Sequence, residues 1–233
     1  MISPETTASN WKDLLLGGAC TADTWISSPC RGATSFCITT IFLGVGTYGA
    51  SIGAWQGLEQ AGYVAIKLPL IILLTLLING LLNGVLSQIV GIRTSFTQTT
   101  LALLTSFSVF ALITGSLSPI TLGMAIESPS AHSDQAASTH RILILTHTGI
   151  IALAGLVSTT RLYRLLLPYS RSKIAAIRGV ACLVAGNLFA GAQVGFLLRP
   201  IFGNPGLKIE FLRPDIFEGN FYESVWWAIR NSF

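Results

Sequence analysis

The chain has 233 residues, of which 51% are hydrophobic and 10% are charged, and its mean hydropathy is +0.65. Soluble domains carry about 25% charged residues, so this composition excludes an ordinary soluble domain. The formal net charge of +4 is small and concentrated in one loop, so it does not indicate a nucleic-acid-binding face. We therefore expect the chain to lie in a lipid bilayer and to have no nucleic-acid partner.

Residues 1–32 are predicted to form a cytoplasmic interfacial segment. Ser3, Pro4 and Glu5 suit the first turn of a helix, where a hydroxyl cap, a proline and an acidic side chain each stabilise the N-terminus. Trp11 and Leu14 follow at helical spacing, and tryptophan is common in the headgroup region. The segment lacks the basic and apolar regions of a cleavable signal. The alternative interpretation is a loosely ordered tail.

Five apolar stretches between residues 33 and 198 are each long enough to cross a bilayer, which takes about 20 residues in a helix. They run from Ala33 to Ala54, Leu68 to Gly91, Thr99 to Ile126, Arg141 to Thr160 and Gly179 to Leu198. Backbone amides in hydrocarbon must be hydrogen-bonded within the chain, so each stretch is expected to be helical. The predicted fold class is all-α: a polytopic membrane helix bundle with five transmembrane helices, an interfacial N-terminal helix and an aromatic C-terminal tail.

The distribution of basic residues predicts the orientation of the bundle. The fourth predicted loop carries Arg161, Arg164, Arg171, Lys173 and Arg178, whereas the first and third loops offer only Lys67 and Arg141. Cytoplasmic loops are enriched in lysine and arginine. We therefore expect the N-terminus inside and the C-terminal tail, residues 199–233, outside the cytoplasm.

Small residues recur in the predicted spans at intervals that place them on one helix face. They are Gly46, Gly49 and Gly53 in the first span, Gly80 and Gly84 in the second, and Gly191 and Gly195 in the fifth. Small residues allow helix backbones to approach closely in lipid. The pattern predicts a tightly packed bundle, and it leaves open whether the close contacts are internal or with partner subunits.

Polar residues inside the predicted spans form a second pattern, made up of Asn79, Asn83, Ser87, His147, Asn187 and Gln193. The first three recur at four-residue steps and therefore share one helix face. They are interpreted either as interhelical hydrogen bonds, worth about 0.6 kcal/mol per pair, or as the lining of a polar pathway. No Asp, Glu or Lys is expected deep within any span, which argues against a proton relay or an ion-coupled carrier.

The residues that most often carry chemistry give no specific signal. His147 lies about two turns into its predicted span and is interpreted either as a packing histidine or as a ligand of a haem or metal, so the cofactor is left unknown. The four cysteines lack metal-ligand spacing, and we expect no metal site. No catalytic motif is found, so we expect no enzymatic activity.

The end of the fifth predicted span and the C-terminal tail contain two copies of a similar pattern: F-L-L-R-P-I-F-G at residues 196–203 and F-L-R-P-D-I-F-E-G at residues 211–219. Proline ends helical structure in each copy, and the arginines are expected to reach the membrane interface. A dense group of aromatic residues follows, which suits a helix on the membrane surface or a contact with a neighbour. The residues predicted to make these contacts are Arg199, Arg213, Phe221, Tyr222, Trp226 and Trp227.

Four short motifs carry a resemblance to a known family. They are Tyr48–Gly53 at the end of the first predicted span, Pro69 at the start of the second, Leu198–Gly203 after the fifth, and Asn220–Glu223 in the tail. On these motifs the chain resembles a loose group of bacterial five-span proteins that are distantly similar to the Yip1 family. The resemblance implies a bacterial cytoplasmic membrane, an inside N-terminus and a short far-side tail. By analogy, it also implies a trafficking-linked scaffold that binds membrane partners.

Three hypotheses of function follow. The leading one is a non-enzymatic integral membrane subunit or scaffold that packs against other membrane protein subunits. The second is a channel or transporter for a neutral polar solute, lined by Asn79, Asn83, Asn187 and Gln193. The third is a cofactor-holding subunit of a redox or light-harvesting membrane complex, with His147 as the ligand.

Overall fold

Helices account for nearly all the regular structure in the part of the chain that the structure describes. This computed structural model describes residues 25–27, 31–205, 208–214 and 217–230. The helices are α1 (Arg31–Gly53), α2 (Leu58–Ile78), α3 (Gly80–Ile89), α4 (Phe96–Glu127), α5 (Ala136–Leu166), α6 (Lys173–Leu197) and α7 (Phe221–Arg230). The predicted interfacial helix near residues 3–15 lies outside the described residues.

Five of these helical segments are long and apolar enough to cross a membrane. They are Gly32–Gly53, Leu58–Ile78, Phe96–Glu127, Ala136–Tyr169 and Lys173–Leu197. The predicted all-α class and the number of candidate spans are thereby confirmed. The protein is accordingly treated as an integral membrane protein.

The predicted bounds of three spans are wrong. The second span begins at Leu58 and not at Leu68, and its helix is interrupted at Asn79, where α2 ends and α3 begins. The helix of the fourth span, α5, continues past Thr160 to Leu166. The helix of the fifth span, α6, begins at Lys173, six residues before the predicted start. In each case the predicted boundary lies next to a charged side chain, because a charge lowers the local hydropathy. Lysine and arginine are good helix formers, so the helices continue through them.

Helix α1 lies at the centre of the bundle, between α2 and α4. A Cβ atom added to Gly44 would overlap the carbonyl oxygen of Ala111 on α4, and one added to Gly49 would lie 2.5 Å from the carbonyl oxygen of Val64 on α2. At the same contact between α1 and α4, a Cβ added to Gly115 of α4 would lie 2.8 Å from Cα of Gly44. The three backbones therefore touch, which only glycine permits at these positions.

Hydroxyl groups join neighbouring helices inside the bundle. Ser51 on α1 and Thr121 on α4 lie 2.6 Å apart through their hydroxyl oxygens. Ser106 on α4 donates to the carbonyl oxygen of Ser158 on α5 at 2.7 Å. These side chains are buried, so the bonds satisfy polar groups that would otherwise face hydrocarbon.

The two ends of the bundle differ in charge. The basic end is formed by loops 90–95 and 167–172, and the tail end by loops 54–57 and 128–135 together with the C-terminal tail. The basic residues of the basic end whose side chains are described are Arg93, Arg161, Arg164, Arg171, Lys173 and Arg178. The acidic residues in the described part of the chain all belong to the tail end: Glu59, Glu127, Asp134, Glu210, Glu218 and Glu223. The basic end is the one that the orientation rule would place in the cytoplasm. The orientation itself stays a prediction.

Candidate functional site at the tail end

A lysine lies inside the second span, where none was expected. Lys67 is the tenth residue of α2 and is completely buried in the bundle. The prediction that Lys67 precedes the second span, and that no lysine lies deep within any span, is therefore wrong. Its Nζ donates a hydrogen bond to the carbonyl oxygen of Pro200, at 2.9 Å. Ionisable residues in membrane spans are costly and tend to be functional, so Lys67 is the centre of the candidate site.

Aromatic rings surround the amine of Lys67. Its Nζ lies 5.1 Å from the ring centroid of Phe211 and 6.0 Å from that of Tyr63. These two rings meet edge to face at 5.3 Å, and the Tyr63 hydroxyl donates to Glu59 at 2.8 Å. The described residues place no carboxylate within ion-pairing distance of Lys67. One carbonyl and two ring faces thus replace the water around this amine.

A second buried side chain of α2 holds the next residue of the tail. Gln60 is completely buried, and its Nε2 donates to the carbonyl oxygen of Ile201 at 3.1 Å. Gln60 and Lys67 are seven residues apart and therefore share one face of α2. We call these two side chains, together with residues 199–203, the tail clamp. The Oε1 atom of Gln60 has no hydrogen-bond partner among the described residues, so the clamp keeps one free acceptor.

His147 contacts the tail from the other side. Its Nδ1 lies 2.9 Å from the Tyr48 hydroxyl, which joins α5 to α1. The His147 ring also lies against Phe202, with ring centroids 5.7 Å apart. Both His147 and Tyr48 are buried. The structure therefore places His147 in an interhelical hydrogen bond beneath the tail.

The three predicted asparagines, Asn79, Asn83 and Asn187, belong to a separate site, between α2, α3 and α6. The side-chain amides of Asn83 and Asn187 bond to each other, at 3.4 and 3.3 Å. Asn79 donates to the carbonyl oxygen of Gly186 at 2.8 Å, and Ser87 lies 3.3 Å from the hydroxyl of Thr99. The six predicted residues therefore form no single network. These three asparagines join helices, His147 lies at the tail clamp, and Gln193 contacts α7.

The asparagine pair gives a test of its contribution to stability. Asn83→Leu is expected to lower the free energy of unfolding by about 1 kcal/mol, because it leaves the amide of Asn187 without its cross-helix partner. Asn187→Leu should have a similar effect. The double substitution should cost less than the sum, because no amide is then left unpaired. Thermal unfolding of the four proteins in one detergent measures this coupling, and strictly additive effects would contradict it.

The predicted packing glycines all contact this chain's own residues. Gly46, Gly49 and Gly53 face α2, Gly80 and Gly84 face Phe96, Gly191 faces Thr75 and Gly195 faces Ile71. Their surfaces are therefore filled within the bundle. A contact with a partner would have to use other faces of the helices.

The tail helix α7 packs on α6. The backbone amide of Phe221 donates to Oε1 of Gln193 at 3.0 Å. The ring of Tyr222 stacks on Phe189 with centroids 4.5 Å apart, and its hydroxyl donates to the Phe189 carbonyl oxygen. An open cleft of about 670 Å³ lies between the two helices, lined by Phe189, Gln193, Asn220, Tyr222, Glu223 and Trp226. Trp226 lies at the edge of this cleft, and its side chain is 68% exposed.

The remaining predicted contact residues are spread along the tail. The guanidinium of Arg199 lies 3.8 Å from the ring centroid of Phe196 and donates to its carbonyl oxygen at 3.3 Å. Arg213 is half-buried, and the side chain of Trp227 lies outside the described part. Sequence reasoning missed Lys67, Gln60 and Tyr48. The repeated F-L-R-P pattern was the available signal, because the clamp holds its first copy.

Fold and site together define an all-helical integral membrane protein with five candidate spans and a C-terminal tail that is fastened to the bundle. No family model, no curated protein and no solved structure matches the chain. The resemblance to Yip1-like proteins therefore stays a prediction.

Proposed function

We propose that the protein is a non-enzymatic membrane subunit or scaffold, in which the bundle holds helix α7 in place for another membrane protein to bind. The observation that carries this proposal is the exposure of Trp226, 68%, on a helix whose first turn is fastened to α6. Large exposed aromatic residues on a fixed surface are typical binding hot spots.

The tail clamp supports the proposal because it fixes where the tail leaves the bundle. Lys67 and Gln60 hold two successive carbonyl groups directly after α6, and Phe211 of the second repeat packs against Tyr63. A surface that is ordered before binding loses less conformational entropy on association. A scaffold gains affinity in this way.

The cleft beside Trp226 favours a particular kind of partner. Glu223 is exposed on the same helix, one turn before Trp226. A carboxylate beside an exposed indole suits an arginine or lysine of the partner, which can pair with the acid and lie over the ring. The proposed partner is therefore a membrane protein with a basic side chain at the tail end.

The proposal is tested by purifying the full chain from its own membrane in a mild detergent and measuring its native mass. We expect an assembly with unlike subunits, and we expect Trp226→Ala to reduce it to the chain alone. Phe217→Ala is the matched control, because Phe217 is an exposed aromatic residue of the tail outside α7. A partner-free wild-type protein, or equal effects of both substitutions, would contradict the proposal.

The alternatives have less support from the geometry. A polar pathway would need the Asn83 and Asn187 amides to face an open space, whereas they bond to each other. A cofactor on His147 would have to share its ring with Tyr48 and Phe202. A bacterial cytoplasmic membrane and a Yip1-like role are part of the proposal by analogy alone. The inside N-terminus is also part of it, and the distribution of basic residues supports it.

A further inference from the structure

A small pocket at the basic end joins two loops that are far apart in the sequence. It has a volume of about 520 Å³ and is lined by Arg93, Pro168, Tyr169, Ser170 and Arg171. Arg93 follows α3, and the other residues lie between α5 and α6. We infer that this pocket binds the phosphate headgroup of an anionic phospholipid.

The first loop is built to fix the position of Arg93. Helix α3 ends at Ile89, and Gly91, two residues later, has φ +92°, a left-handed conformation that favours glycine. The amide of Gly91 donates to Gln88 at 3.1 Å, and that of Ile92 donates to Ser87 at 2.8 Å. These two bonds form a Schellman motif, which turns Ile92 into the core, where it is 1% exposed. Arg93 is the next residue and points out of this anchored turn as an exposed side chain.

Backbone hydrogen bonds then join this loop to the second arginine. The amide of Arg93 donates to the carbonyl oxygen of Tyr169 at 2.8 Å, and the amide of Arg171 donates to that of Gly91 at 3.3 Å. The stem of Arg171 also lies over Gly91, where its Cδ would be 3.6 Å from an added Cβ. The two arginines are therefore held at one pocket by main-chain contacts, before any ligand binds.

No described acidic side chain compensates the charge of this pocket. The described residues provide no carboxylate partner for Arg93 or Arg171, and the described acidic residues all belong to the tail end. Two guanidinium groups at one pocket suit a phosphate, which accepts paired hydrogen bonds from each planar fork. Positive charge that serves only to orient a membrane protein needs no such pairing, because orientation depends on the number of basic residues.

The position of the pocket favours a lipid over a soluble phosphate compound. It lies at the end of the candidate spans, where headgroups are found. Apolar side chains of α3 and α6 are exposed within a few turns of it: Ile89 by 74%, Ile174 by 62% and Ile177 by 58%. These surfaces suit the acyl chains of a lipid whose phosphate lies between the arginines.

The test is native mass spectrometry of the full chain in a neutral detergent, titrated with phosphatidylglycerol or with phosphatidylcholine. We expect the anionic lipid to bind more tightly. Substituting both arginines (Arg93→Gln with Arg171→Gln) should weaken its binding about 25-fold, at about fivefold for each arginine. Arg141→Gln with Lys208→Gln is the matched control, because it removes two exposed basic groups at the tail end and should leave binding unchanged.

Three results would overturn the inference. They are equal binding of the two lipids, equal losses in the two double variants, and displacement of phosphatidylglycerol by millimolar inorganic phosphate, which would assign the pocket to a free anion. If the double variant fails to fold, Arg93→Gln alone serves, since this exposed side chain has no described partner. The single change is then expected to weaken binding about fivefold, and unchanged binding would overturn the inference.

Discussion

Replacing Gly49 with alanine is expected to destabilise the bundle by about 2 kcal/mol or more, through overpacking at a helix contact. The new Cβ would lie 2.5 Å from the carbonyl oxygen of Val64 and 2.9 Å from its carbonyl carbon. These are backbone atoms of α2, so the clash is relieved only if the whole helix moves away from α1. Thermal unfolding in detergent, followed by circular dichroism, measures the effect.

Gly149→Ala is the matched control for this prediction. Gly149 lies in the middle of α5, and no described residue from another part of the chain lies within 4 Å of an added Cβ. Alanine has a higher helix propensity than glycine, so this substitution is expected to leave the free energy of unfolding unchanged or to raise it by up to about 1 kcal/mol. Similar losses of stability in the two variants would show that α1 and α2 are not in backbone contact.

Replacing Lys67 with methionine is expected to release the tail without weakening the bundle. The substitution removes the hydrogen bond to the carbonyl oxygen of Pro200, and a lost bond of about 1.5 kcal/mol corresponds to about tenfold more frequent opening. Methionine fills a similar volume without an amine, so the midpoint of thermal unfolding should be unchanged or higher. Hydrogen–deuterium exchange of residues 199–205 measures the opening.

Lys173→Met provides the control for the tail experiment. Lys173 is exposed at the basic end, so the same chemical change there should leave exchange in residues 199–205 as it is. Gln60→Leu should open the same segment, since it removes the bond to Ile201. The tail clamp would be refuted if Lys67→Met left this exchange unchanged, or if exchange rose equally throughout the bundle.

The number of spans could be predicted from the sequence because it depends on the length of apolar runs alone. The start of the second span, in helix Leu58–Ile78, could not be predicted in this way. The charge of Lys67 indicated a loop, yet the residue is helical, since its amine reaches a carbonyl group 133 positions further along the chain. The hydropathy of a local window carries no information about a contact with a residue so far away in the sequence. The end of α2 at Asn79 was missed for the same reason, because its side chain bonds to α6.

The candidate site was only partly visible in the sequence. The repeated motif drew attention to residues 196–203, and the four-residue spacing drew attention to Asn83. The side chains that bond to the first repeat and to Asn83 depend on how helices distant in the sequence pack together. Helical periodicity gives the face on which Asn83 lies, but the pairing with Asn187 requires that α6 lie beside α3. Gly49 likewise was recognised as a packing residue, whereas its contact with Val64 follows from the bundle.

The central position of α1 has a consequence for biosynthesis. This helix precedes the others among the described spans, yet its largest interface is with α4, which the ribosome completes only at residue 127. Until then the groove at Gly44, which receives the backbone of Ala111 in the finished protein, has no occupant from α4. One face of the α1–α2 hairpin therefore has no contact with α4 during translation of about 50 further residues, from the end of α2 to the end of α4. Over that interval the nascent chain depends on lipid or on an insertion factor to shield this face.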